Sequence, residues 1–516
     1  YLQIIGLDEA PKPEDFTALR LRSDMDLAGT FETNNSLLND IHVICRDAIQ
    51  SQLYNSITDC PHREKLGWLD VPNEMYNSLV YNYDMENFFK KVVQDCFDAQ
   101  YSNGRVPSTV PHFMSVYDDD PNWGGAAILV PYRNWKTYGD MTTMTKFYPQ
   151  MKKLMDYYTS KTVNHIMPGR NYSVLSDWGQ ETAGVNPMVP GEFTITTTYY
   201  YMLNAMAEIA SFLGKDVDAK GFLTQAQNTK KAFNERFYKD GVYEYGQQSE
   251  FAMPLYYGLV DQENEELVAA KLAERVKKDN YKIKTGEIGL KPLFMSLAKY
   301  GYNDIVYQMA NQTDCPSYGY WVKQGYTTTP EYWDVGAFSQ NHCMMDHIEE
   351  WFFSQLGGIR NDGNGFDIVR IEPWIPEDMN HLDVTTRSIY GNIRCHYERG
   401  GDDEMNYTFA IPANSQANIV LPCLNHQSVF ENGKDVKSGE NGVVSVEYKD
   451  GKAYLKIGSG NYTLQIKKKE ATGIQEVNIS RARLNDVYYD LEGRNHGKVR
   501  PSQKGIFIWN QKKVVL

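Results

Sequence analysis

The sequence predicts a mainly α body with β flanks. Three observations carry that expectation: apolar residues recur at three- and four-residue steps from about residue 33 to 356, alternating turn-punctuated segments take over past Gly357, and the opening residues are extended in character with no helical repeat. With 516 residues there is room for about three domains and a large core. Apolar residues make up 42% and charged residues 23%, too rich in core formers for disorder.

Residues 1–32 contain short β-like stretches, LQIIGL and FTALRLRSDM, and read as the end of an N-terminal β-domain and a linker. At Asn34 the pattern changes. Leu37, Leu38, Ile41, Ile44, Cys45, Ala48 and Ile49 follow an Asn-Asn-Ser start able to cap a helix. Similar segments recur at 81–99, 141–163, 196–213, 219–237, 263–278, 291–300, 304–311 and 341–356, separated by loops rich in Gly, Pro, Asn and Asp. The stretch 33–356 is therefore expected to be all α, with room for about a dozen helices. Beyond it, FDIVRIEP, IRCHYER, YTFAIP, ANIVLP, VVSVEY, AYLKI and YTLQI alternate between GG, NG, DG and SG turns, predicting an antiparallel β-sandwich over 357–468. A KKK run followed by Glu470, Ala471, Thr472 and Gly473 reads as a linker into a short β tail, within 469–516.

Composition removes several classes of function. Lys and Arg total 52 against 66 Asp and Glu, a net charge of −14, and no basic stripe is present, so nucleic acid is not an expected partner. No apolar run approaches the roughly 20 residues of a membrane-spanning helix. The opening YLQIIGLDEA lacks the basic start and apolar stretch of a signal peptide, so either the protein is cytosolic or such a segment has been removed. The 7 cysteines are odd in number with no CxxC, which fits buried free thiols better than a metal site or disulfide scaffold. The 37 tyrosines and 9 tryptophans suit cores and sugar-ring faces alike.

Four segments carry candidate chemistry. TDCPHREKLGWLD, residues 58–70, gathers Asp59, His62, Arg63, Glu64, Lys65 and Trp68 in one loop. Acid catalysis needs a carboxyl group held protonated, which an indole wall encourages, while an Arg–carboxylate pair fixes a second acid in its ionised form. A salt-bridged surface loop is the plainer alternative. In GYTTTPEYWDVGAFSQNH, residues 325–342, Glu331 stands between Pro330 and the pair Tyr332 and Trp333, with His342 beyond. A carboxylate framed by aromatics suits a sugar site, although a lone His is more often structural. LSDWGQET carries Asp177 and Trp178, and DDPNWGGA carries Trp123; singly, each fits an ordinary loop with a buried Trp.

Taken together, DCPHREKLGW, PNWGGAAILVPYRNWKTYGD, SDW, SYGYWVKQGYTTTPEYWD and SQNH followed by EEWFFSQLGGIR, in this order and spacing, resemble the catalytic module of the α-L-rhamnosidases of glycoside hydrolase family 78. The resemblance runs from about residue 1 to 466. It implies an (α/α)6 barrel flanked by β-sandwiches, acting as an inverting exo-glycosidase on terminal α-L-rhamnose of a plant or algal glycan, with no cofactor and no metal. It carries the general acid onto Glu64 and the general base onto Glu331. Asp59 matches the acid that holds sugar hydroxyls, and Trp68, Trp123, Asp177, Trp178 and His342 match pocket positions; Arg63 and Trp333, in the same loops, are counted with them. One departure stands out. Many family members read GW-x-G-D, whereas here Val71 takes the acid's place, so either Asp70 substitutes for it or that sugar contact is lost.

Two other readings remain open on the sequence, a polysaccharide lyase built on a helical toroid with a tyrosine base and a carbohydrate-binding relative whose catalysis has weakened. VYYDLEGR and KGIFIWNQKKVVL resemble the short carboxy-terminal sorting modules of secreted Bacteroidetes proteins, which implies export to the periplasm or cell surface.

Overall fold

The computed structural model describes residues 3–19, 21–113, 120–169, 174–334, 336, 338–401, 403–469, 487–497, 500–509 and 512–515. The helices are α1 (Ser36–Gln52), α2 (Asp70–Glu74), α3 (Tyr76–Asn82), α4 (Glu86–Asp98), α5 (Pro121–Gly124), α6 (Ala126–Tyr138), α7 (Thr142–Lys161), α8 (Gly191–Phe212), α9 (Asp216–Phe237), α10 (Gln248–Tyr257), α11 (Glu265–Lys278), α12 (Glu287–Lys299), α13 (Asn303–Ala310), α14 (Tyr318–Lys323) and α15 (Ile348–Trp351), the last running on as a π turn over Phe352–Leu356. As its sequence predicts, α1 starts on Asn35, whose side chain accepts from the Leu37 and Leu38 amides.

These helices form two concentric rings. In the inner one α2 packs on α6, α6 on α8, α8 on α10, α10 on α12 and α12 on α15, and the ring closes where α15 meets α3. Outside it lie α4 and α7 against α6, α9 against α8, α11 against α10 and α13 against α12, while α1 packs on α14. This is the (α/α)6 barrel that the resemblance implies. Position in the rings explains which helices have a readable period. The outer helix α9 buries Ala219, Phe222, Ala226, Thr229, Phe233 and Phe237, a single stripe. The inner helix α10 buries every residue but Tyr256, so it carries no stripe and does not announce itself in the sequence. The same holds for α6, whose Ala126–Tyr138 run is largely buried around Pro131. The stretch 81–99, expected as one helix, is broken instead at Tyr83, whose extended backbone ends α3 before α4 begins.

The strands are β1 (Thr30–Thr33), a small hairpin of β2 (Tyr238–Lys239) and β3 (Val242–Tyr243), then β4 (Ile359–Asn361), β5 (Ile368–Ile371), β6 (His381–Ser388), β7 (Gly391–Arg399), β8 (Met405–Ile411), β9 (Gln416–Pro422), β10 (Gln427–Glu431), β11 (Lys434–Asp435), β12 (Val443–Lys449), β13 (Lys452–Ile457) and β14 (Gly460–Lys468). They make a sandwich of two sheets, ordered β1-β6-β7-β8-β14-β10-β11 and β12-β13-β9-β5-β4. Two features differ from the sequence expectation. The sandwich is not wholly antiparallel, because β5 runs parallel to β9, pairing Ile368 with Gln416 and Ile371 with Ile419. Residues 1–32 were expected to close an N-terminal β-domain; their strand, β1, instead pairs with β6 as the edge of the C-terminal sheet, Phe31 opposite Val384. Alternation within a segment signals a strand but not its partner.

The sandwich seals the end of the barrel where the inner helices finish. The Tyr81 hydroxyl donates to the Ile359 carbonyl at 2.8 Å, and Asn361 Nδ2 donates to the Lys136 carbonyl at 2.7 Å. Phe353 stacks on Tyr81, with ring centroids 5.3 Å apart. Barrel and sandwich form one compact unit, residues 1–467. The second unit, Lys468–Leu516, contains a three-stranded antiparallel sheet of β15 (Tyr488–Asp490), β16 (Ile506–Trp509) and β17 (Lys512–Val515). The expected linker at 470–473 lies outside the described residues. Among the described residues no helix is long and apolar enough to cross a membrane.

Gly358 sits at the junction with φ +66°, and a Cβ there would collide with the Glu372–Pro373 backbone. Gly358→Ala is expected to cost ~2 kcal/mol or more of stability, read from the urea midpoint. Gly139→Ala, at φ +69° with open space around it, is the milder control and should cost ~1 kcal/mol. Equal midpoints for the two variants would show that the junction is not tightly packed.

Candidate active site

A cavity of about 240 Å³ opens among Asp59, Glu64, Trp68, Asp70, Trp123, Leu175, Trp178, Glu287, Glu331, His342 and Met344. All of these stand at the start of an inner helix or in the segment that leads into one. The 59–68 loop leads into α2, Trp123 into α6 and the 175–178 loop into α8; Glu287 opens α12, and 331–344 leads into α15. The cavity therefore lies at the N-terminal mouth of the barrel, opposite the sandwich.

In the first loop, Asp59 accepts from the Leu66 amide at 2.9 Å and from the Cys60 thiol at 2.9 Å. Burial nevertheless pushes its carboxyl up to about 6. The Cys60 sulfur in turn accepts from the Glu64 amide at 3.3 Å, tying the two acids together. Gly67 is needed because a Cβ there would strike the Val110 carbonyl, where the loop runs against 109–110. Glu64 itself is exposed at the rim. Its Oε2 accepts from Trp68 Nε1 at 2.9 Å, so the indole meets the acid through its N–H rather than as an apolar wall.

Glu331 is held from two sides. Trp178 Nε1 donates to Oε1 at 3.3 Å and the Ser339 amide donates to Oε2 at 3.2 Å. Burial raises its carboxyl above the ordinary value, and the charge of Glu64 adds to the rise; the two hydrogen bonds and the Arg63 guanidinium oppose it. His342 is buried and pushed down to about 3, which keeps the imidazole neutral. Its backbone pairs with Thr329, and Nδ1 has no protein partner.

Three residues expected at the pocket are not part of its lining. Asp177 is a helix cap: it accepts from the Gly286 and Gly289 amides at 3.0 and 2.8 Å and from the Ser249 hydroxyl at 2.6 Å, and so anchors the start of α12. The fit is tight, because a Cβ on Gly286 would collide with the carbonyls of Asp177 and Trp178. Trp333 is buried, stacked on Trp321 with centroids 4.6 Å apart, and donates to the Thr285 carbonyl at 2.9 Å. Arg63 is exposed and lies 4.8 Å over the Phe338 ring, acting on Glu331 only through its charge. An acid or aromatic in the right loop can face the scaffold rather than the cavity, and composition does not say which.

Asp70 does reach the cavity, whereas Val71 is fully buried in the core. Asp70 faces Glu287, a lining residue the sequence reading did not single out. Glu287 opens an almost wholly buried helix with no loop signature, so only the fold brings it to the mouth. Leu175 and Met344 also line the cavity and were not singled out, being apolar residues beside more conspicuous ones in their loops. Burial pushes Asp70 up to about 7, while burial and the Asp70 charge push Glu287 well above the ordinary range. Among the described residues, ligand atoms of Asp59, Cys60 and His342 lie within 4.8 Å of one another, a set that could gather a thiophilic divalent cation only by displacing the thiol proton now given to Asp59.

Aromatic walls thus surround two groups of carboxyls at the mouth of a helical double ring. Family comparison is specific. Residues 26–356 match the bacterial alpha-L-rhamnosidase 6 hairpin glycosidase domain, and residues 358–435 match the bacterial alpha-L-rhamnosidase C-terminal domain. The chain belongs to that family. An alpha-L-rhamnosidase of Formosa agariphila is 27% identical over 500 residues, covering 91% of this chain and 52% of the relative. One from Streptomyces avermitilis is 24% identical, covering 90% and 45%. Among solved structures, an alpha-L-rhamnosidase from Dictyoglumus thermophilum superposes with a TM-score of 0.82 at 26% identity, over 89% of this chain and 53% of that one. The Streptomyces avermitilis enzyme complexed with L-rhamnose gives 0.79 at 23% identity, over 86% and 43%, a likeness of fold. The chain spans about half the length of the curated relatives it matches.

Two outcomes follow from this geometry. Asp177→Ala leaves the α12 amides without an acceptor and should cost ~2 kcal/mol, measured by thermal unfolding; an unchanged midpoint would remove the cap from the argument. The second concerns pH. Asp59 and Asp70 titrate near 6 and 7 when folded, against about 3.9 when unfolded, so the folded state binds protons more tightly. Their stabilising contribution is complete below about pH 4 and lost as pH rises through 6 to 7. The unfolding temperature should therefore fall from about pH 4 to 7, less steeply in Asp70→Asn.

Proposed function

We infer that the chain is an inverting exo-acting α-L-rhamnosidase that releases terminal α-L-rhamnose from a plant or algal glycan. One observation carries the reading: Glu64 and Glu331, far apart in sequence, line a single sugar-sized cavity walled by Trp68, Trp123 and Trp178. The names of the relatives, the closely superposing Dictyoglumus thermophilum alpha-L-rhamnosidase among them, support the sugar.

In this reading the terminal ring enters the mouth and stacks on the indoles. Glu64, exposed at the rim, protonates the departing glycosidic oxygen. Glu331, fixed by Trp178 and Ser339, draws a proton from a water that attacks the anomeric carbon from the opposite face. That geometry calls for carboxyls roughly 6.5–9.5 Å apart, wide enough for the water. Asp59 and His342 hold ring hydroxyls. Because burial raises Glu331, the base is lost to protonation at a higher pH than for a free glutamate, so the acid limb of the rate profile shifts upward. The β tail's resemblance to sorting modules supports export to the periplasm or cell surface.

The test is hydrolysis of an aryl α-L-rhamnoside by wild type, Glu64→Gln and Glu331→Gln. Each variant should lose roughly 10²–10⁴-fold in kcat, with Glu64→Gln spared most on aglycones of low pKa, and proton NMR should show the inverted anomer first. Full activity in both variants removes the two assignments. A retained anomer removes the mechanism.

A further inference from the structure

The floor of the cavity holds a second pair of carboxyls that neither proposed catalytic role uses. Glu287 is 2% exposed, and neither of its carboxyl oxygens meets a protein donor. The group facing it is the Asp70 carboxyl, whose Oδ1 also lacks a protein donor. Both residues line the cavity. The backbone at Glu287 is fixed beside it. Its amide donates to the Trp178 carbonyl at 3.0 Å, and the preceding Gly286 is pressed so closely on residues 177–178 that a Cβ has no space. Asp177 and Glu74 add further negative charge near Glu287, and the buried Lys291 one turn along α12 is paired with Glu74 at 3.6 Å, so a proton shared with Asp70 is what lets the two carboxyls sit together. Asp70 takes the ionised side, because its own amide and that of Val71, at the start of α2, donate to it.

A buried carboxyl pair sharing one proton at the wall of the cavity keeps lone pairs that no protein donor meets, and leaving those unmet is costly. We propose that Glu287 and Asp70 form a hydroxyl-reading floor that determines specificity, accepting hydrogen bonds from free hydroxyls of the terminal sugar and excluding a ring that is alkylated, acylated or sulfated at that position. This rests on the rhamnosidase reading of the same cavity. The chemistry is selective in both directions. An ether or ester oxygen has no proton to give, and a sulfate or carboxylate brings negative charge against an acidic floor.

The experiment is calorimetric binding of L-rhamnose and of 2-, 3- and 4-O-methyl-L-rhamnose to the full chain, with Glu287→Gln, Glu287→Met and Glu287→Ala beside wild type. Wild type should bind L-rhamnose and reject at least one methyl ether. Glu287→Gln, which keeps a donor and an acceptor, should bind L-rhamnose nearly as wild type, and Glu287→Met should bind it roughly 10- to 100-fold more weakly. On an aryl rhamnoside that loss should appear in KM more than in kcat, which a general destabilisation of the fold would not produce. Glu287→Ala should admit the ether that wild type rejects. Equal binding of all three ethers by wild type overturns the floor without any variant, and so does wild-type affinity in Glu287→Met. A panel of L-fucose, L-arabinose and D-mannose separates the two claims: binding of one of these in place of L-rhamnose removes the rhamnoside reading, and the same variants then decide the floor with that sugar. Binding of none removes both.

Discussion

The whole arrangement depends on one constraint: every inner helix begins at the same mouth of the barrel, and each beginning leaves backbone amides without partners. Water cannot meet them inside a closed ring, so side-chain oxygens must. Asp120 accepts from the Asn122 and Leu175 amides ahead of α6, Glu250 from the Tyr245 and Gln247 amides ahead of α10, and Asp177 from the Gly286 and Gly289 amides at α12. The mouth is acidic for a structural reason before any chemistry is considered. Burial pushes Asp120 and Glu250 to about 7, a cost that their amide bonds only partly offset.

The far end obeys the complementary rule. There the inner helices leave carbonyls unpaired, and the sandwich and its approach supply donors. The Asn361 side chain and the Gly365 amide donate to the Lys136 carbonyl, the Thr386 hydroxyl to that of Tyr81, the Ala28 amide to that of Asn82 and the Trp374 amide to that of Gln355. This accounts for the contribution of β1 from the start of the chain to a sheet otherwise built from its end. Residues 28–33 cross the base of the barrel as they enter α1, and pairing with β6 satisfies a backbone that would otherwise be buried alone.

How much of this is legible in the sequence follows from the same geometry. Periodicity reveals α1, α7 and α9, which turn one face outward, and is silent on α6 and α10, which turn none. Mouth loops advertise themselves by composition, so Asp59, Glu64, Trp68, Trp123, Trp178, Glu331 and His342 could be named from residue types and a family resemblance, and all of them line one cavity. What composition lacks is direction. Asp177 and Trp178 are adjacent in one loop, yet one caps a helix and the other reaches Glu331. Glu287 had no signature at all, because a lone acid at the head of an apolar helix looks like a helix start.

Structural and chemical carboxyls are also mechanically linked. Glu331 takes its position from the Trp178 indole, whose backbone carbonyl receives the Glu287 amide, while the neighbouring Asp177 grips the same turn of α12. One helix beginning thus fixes both a proposed base and the carboxyl in the pocket floor. Movement of α12 by a fraction of an ångström would shift Glu331 and Glu287 together, so the two are constrained to change as a unit. A rigid double ring, sealed at its far end by the sandwich, is the kind of scaffold that holds such a pair in register without a dedicated brace for each.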